Sequence, residues 1–190
     1  MNNKTLGVLA LLGAPSMAIG IYVEDQFKPL ANSWWTGVWG IVYITAWMGS
    51  MVALNRIGAT GSSRFGRTLP LIMLGTLAIA NVSNGWQLVA PTFKPTLFWA
   101  LDMCWPLSNV LMLIYGITVI VANRLPGWQR FVPLLCGLWL PMALTSKFWL
   151  PSELGFSLVT AYSAVAWSLL ALVILTNHRS GHAAAPLSHV

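Results

Sequence analysis

Four acidic residues stand in this chain of 190, and one of them, Asp102, interrupts a long apolar run, "TLFWALDMCWPLSNVLMLIYG". An acid in hydrocarbon costs roughly 2.5 to 3.5 kcal/mol even on lenient scales, so it is retained there for contact with a ligand, an ion, a proton or a buried partner. The neighbouring run carries amides at related positions. Asn84 lies nine residues before Phe93 and Asp102 nine after it. If Phe93 is the tip of a hairpin, the two stand at equal depth and can touch. Asn81 is one turn further along the face of Asn84, and Asn109 is two turns beyond Asp102 on its own face. Ser83, Gln87 and Ser108 are close in sequence, and Trp86, Trp99 and Trp105 supply rings.

An acid to anchor, amides that donate and accept, and ring faces that attract cations form a set suited to holding a molecule. The expected ligand-binding residues are therefore Asp102, Asn84, Asn81, Asn109, Trp86 and Trp105. The competing use is interhelical hydrogen bonding, worth roughly 0.6 kcal/mol per contact on average. That use explains the Asn residues as well as ligand binding does, but it does not require an ionisable side chain at position 102. Pro106 removes one helical hydrogen bond just past Asp102, and a kink there is expected.

Catalytic chemistry finds little support. The three His, at 178, 182 and 189, follow the last apolar run, so no facing imidazole pair can ligate haem. His178 and His182 would share a metal only if that tail were helical. No apolar run carries an interior Lys for a retinal-type Schiff base, and Lys147 at the end of one run is a poor substitute. No nucleophile elbow, phosphate-binding glycine loop, HExxH or paired acids occur. Cys104 and Cys136 lie inside apolar runs without metal-ligand spacing. No catalytic residue, metal or cofactor is expected. An intramembrane lipid enzyme using Asp102 as acid or base would lack a second catalytic group.

The elements that must position these residues follow from composition. At 57% hydrophobic and 7% charged, the chain lacks the polar surface of a water-soluble domain. Six stretches, over about 5–23, 34–54, 69–90, 96–122, 131–150 and 153–176, are long enough to cross a hydrocarbon core about 30 Å thick. The expected fold is all-α: a polytopic integral membrane bundle of six transmembrane helices, one domain over 1–176, with 177–190 a flexible cytoplasmic tail. The first run has the weakly basic start and small residues of a secretory leader, and is read as a retained span.

The boundaries repeat. Phe-Lys-Pro begins at Phe27 and again at Phe93, each followed twelve residues later by a Trp, Trp39 and Trp105. Pro29, Pro95 and Pro151 lead after 26, 28 and 26 residues to Asn55, Asn123 and Asn177, each next to basic residues. At 1.5 Å per residue that is roughly 40 Å, a bilayer with its headgroups. Three consecutive antiparallel hairpins are expected. Either internal duplication or boundary chemistry used three times accounts for the pattern: Pro in a first turn, Asn in a left-handed cap, Arg among headgroups. No matching pair of broken helices points to an inverted repeat.

All six Arg fall with Lys4 at the termini or in alternate loops, while Lys28, Lys94 and Lys147 share the other side with Glu24, Asp25 and Glu153. The positive-inside rule then puts both termini in the cytoplasm, and the expected location is the bacterial inner (plasma) membrane. The net charge of +6 reflects this topology and anionic lipid, with no nucleic acid implied. Of eleven Trp, those at 34, 35, 39, 86, 99 and 149 belong by position to an interfacial belt, and those at 47, 105, 139 and 167 lie deeper. The expected role is to hold, carry or sense a small molecule, lipid or ion in an outward-facing, Trp-lined pocket. The alternative is an accessory subunit packed against other spans. Expected partners are membrane lipid, a small-molecule ligand, and a membrane-protein partner or second copy of the chain.

Overall fold

The structure, a computed structural model, describes residues 1–177. Within them the chain is helical, without strands. Helices α1 (Asn3–Gly13) and α2 (Ser16–Gln26) form one 24-residue run, followed by α3 (Trp34–Ile57) and α4 (Arg64–Val89). Helices α5 (Thr96–Asp102) and α6 (Cys104–Ala122) share the next run, and α7 (Val132–Gly137), α8 (Trp139–Trp149) and α9 (Ser152–Asn177) complete the bundle. Of the tail expected over 177–190, Asn177 ends α9; the rest, with its three His, lies outside the described residues.

Five of these runs are long and apolar enough to cross a membrane. The fifth in order, α7 with its preceding 3₁₀ turn and α8, makes a sixth only as a pair bent by 54°. The even set of six helices expected from hydropathy is thus five long runs and one bent pair. Large apolar side chains stand fully outward, among them Leu12, Val121 and Phe148 at 70%, 79% and 84% exposure, as lipid contact requires.

The helix breaks have a common cause. A proline has no N–H for the carbonyl four residues back. Pro15 therefore deprives Leu11 between α1 and α2, Pro106 deprives Asp102 between α5 and α6, and Pro141 deprives Gly137 between α7 and α8. Pro70 lies inside α4 without ending it: the carbonyl that it leaves unpaired, Gly66 O, accepts a 2.6 Å hydrogen bond from Thr60 Oγ1. Two successive runs break at Met103 and Leu138, and the rings of Trp105 and Trp139 beside those breaks meet at 5.3 Å.

Each run packs on the next, and α9 returns against α1 and α2, closing the bundle. Its middle holds an aromatic trio, with Trp47 and Trp167 at 4.4 Å and Tyr43 at 6.0 and 5.7 Å from them. Close approach rests on missing side chains. Gly116 of α6 lies on the backbone of Leu134, and Gly137 of α7 lies on that of Leu113, so this pair meets glycine-first from both sides.

Caps set the helix limits. Ser33 accepts from Trp35 N at 3.1 Å, and Ser63 from Gly66 N at 3.0 Å. Asn123 closes α6 in the left-handed region at φ 50°, as the repeated boundary predicts, but Asn55 remains inside α3, which ends on Gly58 at φ 73°. Loop contacts define two ends. At the arginine end Arg56 Nη1 donates to Met1 O at 2.8 Å and Asn177 Nδ2 to Gln129 Oε1 at 2.5 Å. At the lysine end Lys94 Nζ donates to Asn32 Oδ1 at 3.3 Å.

Candidate functional site

Near the lysine end, α3, α4 and the α5–α6 break line a half-open cavity of about 190 Å³. Helical spacing explains its walls. Thr36, Trp39, Gly40 and Tyr43 follow one stripe of α3, and Ala80, Ser83 and Asn84 follow one stripe of α4. Asp102 closes α5 and Trp105 is the second residue of α6, so the break brings both to this space. Gly40 makes room: a Cβ there would strike the Asn84 carboxamide, nearest its Oδ1.

Asp102 is half-buried. Ser83 Oγ lies 3.3 Å from Asp102 Oδ1 and 2.7 Å from Ala80 O, with a single proton to share between them. Among the described residues no Lys or Arg pairs with this carboxylate; the ion pair found is Lys28 with Asp25 at 2.6 Å. Lys94 is held elsewhere, on Asn32 and over the rings of Phe98 and Trp99 at 5.2 and 5.8 Å. A second carboxylate stands behind the α3 wall. Glu24 Oε1 accepts from Trp39 Nε1 at 2.8 Å and from Thr36 Oγ1 at 2.5 Å, fixing two lining side chains.

Of the residues singled out in the sequence, Asp102, Asn84 and Trp105 line this cavity. Asn84 reaches the depth expected, but Ser83 makes the contact to the carboxylate. Asn84 Nδ2 donates to Asn81 Oδ1 at 3.3 Å, and Asn81 Nδ2 donates to Thr45 Oγ1 at 3.2 Å, so Asn81 stands behind Asn84 and ties α4 to α3. Asn109 is fully buried and donates to Trp105 O at 3.1 Å, one helical turn back, while its Oδ1 has no partner among the described residues. Trp86 donates to Phe93 O at 2.9 Å and stacks on Phe93, pinning the turn between α4 and α5. Neither Asn109 nor Trp86 lines the cavity.

Sequence reasoning missed Glu24, Thr36, Trp39 and Tyr43. The last three carry a signal, the i, i+3, i+7 stripe of α3, but of them only Trp39 is assigned from the sequence, to the interfacial belt. A second, larger cavity of about 510 Å³ lies between α2, α8 and α9, mostly apolar, with Lys147 its one charged lining residue. Trp105 borders both spaces. The larger cavity lies away from Asp102, and the concentration of polar side chains identifies the smaller one as the candidate site. Among the described residues no three His, Cys, Asp or Glu come together to hold a metal. Protein-family models, curated proteins and solved structures give no match to the chain.

Proposed function

We propose that this protein is a six-span membrane protein, both termini cytoplasmic, that holds a small molecule or ion in the cavity beside Asp102. The bent α7–α8 pair then counts as a crossing, and the lysine end faces outward by the positive-inside rule. Asp102 is seven residues from Pro95, about 10 Å into the helix, so the site opens from the outer half of the membrane. One observation supports the reading: a carboxylate in contact with no Lys or Arg among the described residues, Lys94 acting on it only from a distance, borders a half-open space that also receives Asn84, Ser83 and aromatic side chains. Asp102 serves as anchor, Asn84 orients the ligand, and Trp39 and Trp105 exclude water and lipid.

Native mass spectrometry of gently solubilised wild-type protein beside Asp102→Asn tests this. A reproducible adduct on the wild type that disappears from the folded mutant is expected. An adduct equally retained by the mutant refutes the assignment to Asp102. A chain recovered only together with a second membrane protein makes the polar stripe an interface and the protein an accessory subunit.

A further inference from the structure

We infer that the Asp102 cavity takes a compact organic cation, a small alkylammonium, as its ligand; this rests on the ligand-holding reading above. The first argument is sign. Among the described residues Asp102 is the one charged residue lining the space, and Lys94, whose charge reaches it only from a distance, makes its contacts at Asn32 and over two rings. A cation in the space supplies the direct ion-pair partner that Asp102 lacks among the described residues, whereas an anion meets a carboxylate.

The second argument concerns which donors and acceptors remain. The Trp39 indole N–H, a donor that would serve an anion, is already given to Glu24, a carboxylate outside the lining. Asn84 gives one Nδ2 proton to Asn81, and its Oδ1 is an acceptor on a side chain that lines the cavity while packing against Gly40. The Asp102 carboxylate and Asn84 Oδ1 thus offer acceptors to an ammonium in this space. The third argument is the wall: Trp39, Tyr43 and Trp105 provide three aromatic residues around one carboxylate, the combination that stabilises alkylammonium groups through charge and ring faces together. The fourth is size. A cavity of about 190 Å³ falls below the usual range for drug-sized ligands and matches the share of roughly six water molecules, which limits the ligand to a small headgroup.

The test titrates the full purified chain in nanodiscs with three probes of similar size. These are choline, its neutral analogue in which carbon replaces the quaternary nitrogen, and a branched carboxylate, each followed by calorimetry and Trp emission. Choline is expected to bind about tenfold more tightly than the neutral alcohol, with the carboxylate not binding. Asp102→Asn is expected to abolish that preference. Trp105→Leu, which retains an apolar side chain and leaves the acid intact, is expected to weaken choline several-fold with little effect on the alcohol, and serves if the Asp102 variant fails to fold. Equal binding of choline and the alcohol by the wild type, or preference for the carboxylate, overturns the cation assignment. If the mass-spectrometric adduct depends on Asp102 but proves neutral or anionic, the site stands and the cation inference falls. If no probe binds and no adduct appears, both fall.

Discussion

At the scale of single residues, Glu24 supports the site without lining it. Its carboxylate accepts from both Thr36 and Trp39, and hydrogen bonds to a charged group are worth roughly 1.5 to 3 kcal/mol when well buried. Glu24 is only partly buried, so Glu24→Ala is expected to destabilise the protein by about 1 to 2 kcal/mol, with Glu24→Gln losing less because it keeps an acceptor. Thermal unfolding in detergent, read by Trp emission, checks this. An unchanged midpoint for the Ala variant would mean that the two bonds contribute nothing. Gly40 gives the opposite kind of test. Gly40→Ala places a methyl on the Asn84 carboxamide, so about 1 to 3 kcal/mol of overpacking strain is expected, together with weaker binding in the cavity. Wild-type stability in that variant would show that α3 and α4 do not approach as closely as described. Asp102 was legible in the sequence because a lone acid in an apolar run has few reasons to exist, and Asn84 followed by counting from the turn. Glu24 was not legible: its partners lie twelve and fifteen residues away across a turn whose path no local pattern dictates.

At the scale of elements, prolines decide where helices stop, but only in concert with their surroundings. Pro106 and Pro141 each leave a carbonyl unpaired and each sits at a break; Pro70 does the same chemically, and α4 continues because Thr60 satisfies Gly66. The six apolar runs and most of their limits could be read directly, since length and hydropathy measure them. Which proline breaks a helix could not, because the compensating hydroxyl comes from a different element. Pro141→Ala restores an amide that can reach Gly137 O, and the expected result is a straighter α7–α8 pair and a smaller cleft beside Lys147. Hydrogen exchange in lipid should slow across residues 137–141. Unchanged exchange would place the origin of the bend in tertiary packing, where Trp139 Nε1 donates to Val159 O at 3.3 Å.

At the scale of the whole molecule, the bent pair determines the topology, and α9 constrains it. With 26 residues, α9 spans about 39 Å. One end is tied to Gln129 through Asn177, and at the other Gly155 lies against Ser146. The segment from Gln129 to Trp149 therefore runs beside α9 in the opposite direction, which favours the proposed crossing over a re-entrant loop. The pair bends by 54° at Leu138. Arg56, Arg64, Arg67, Arg124 and Arg130 all stand at the arginine end, and the proposed orientation follows from the positive-inside rule applied to them. The prediction is made for single cysteines in a chain whose Cys104 and Cys136 have been replaced by Ala. In intact cells a membrane-impermeant maleimide should label Thr92→Cys and Ser152→Cys, and should reach Ser62→Cys only after the membrane is opened. Labelling of Ser62→Cys alone would reverse the orientation. Labelling of Thr92→Cys without Ser152→Cys would make α7–α8 re-entrant and put the two ends of the chain on opposite sides, overturning the six-span topology while leaving the Asp102 end outward.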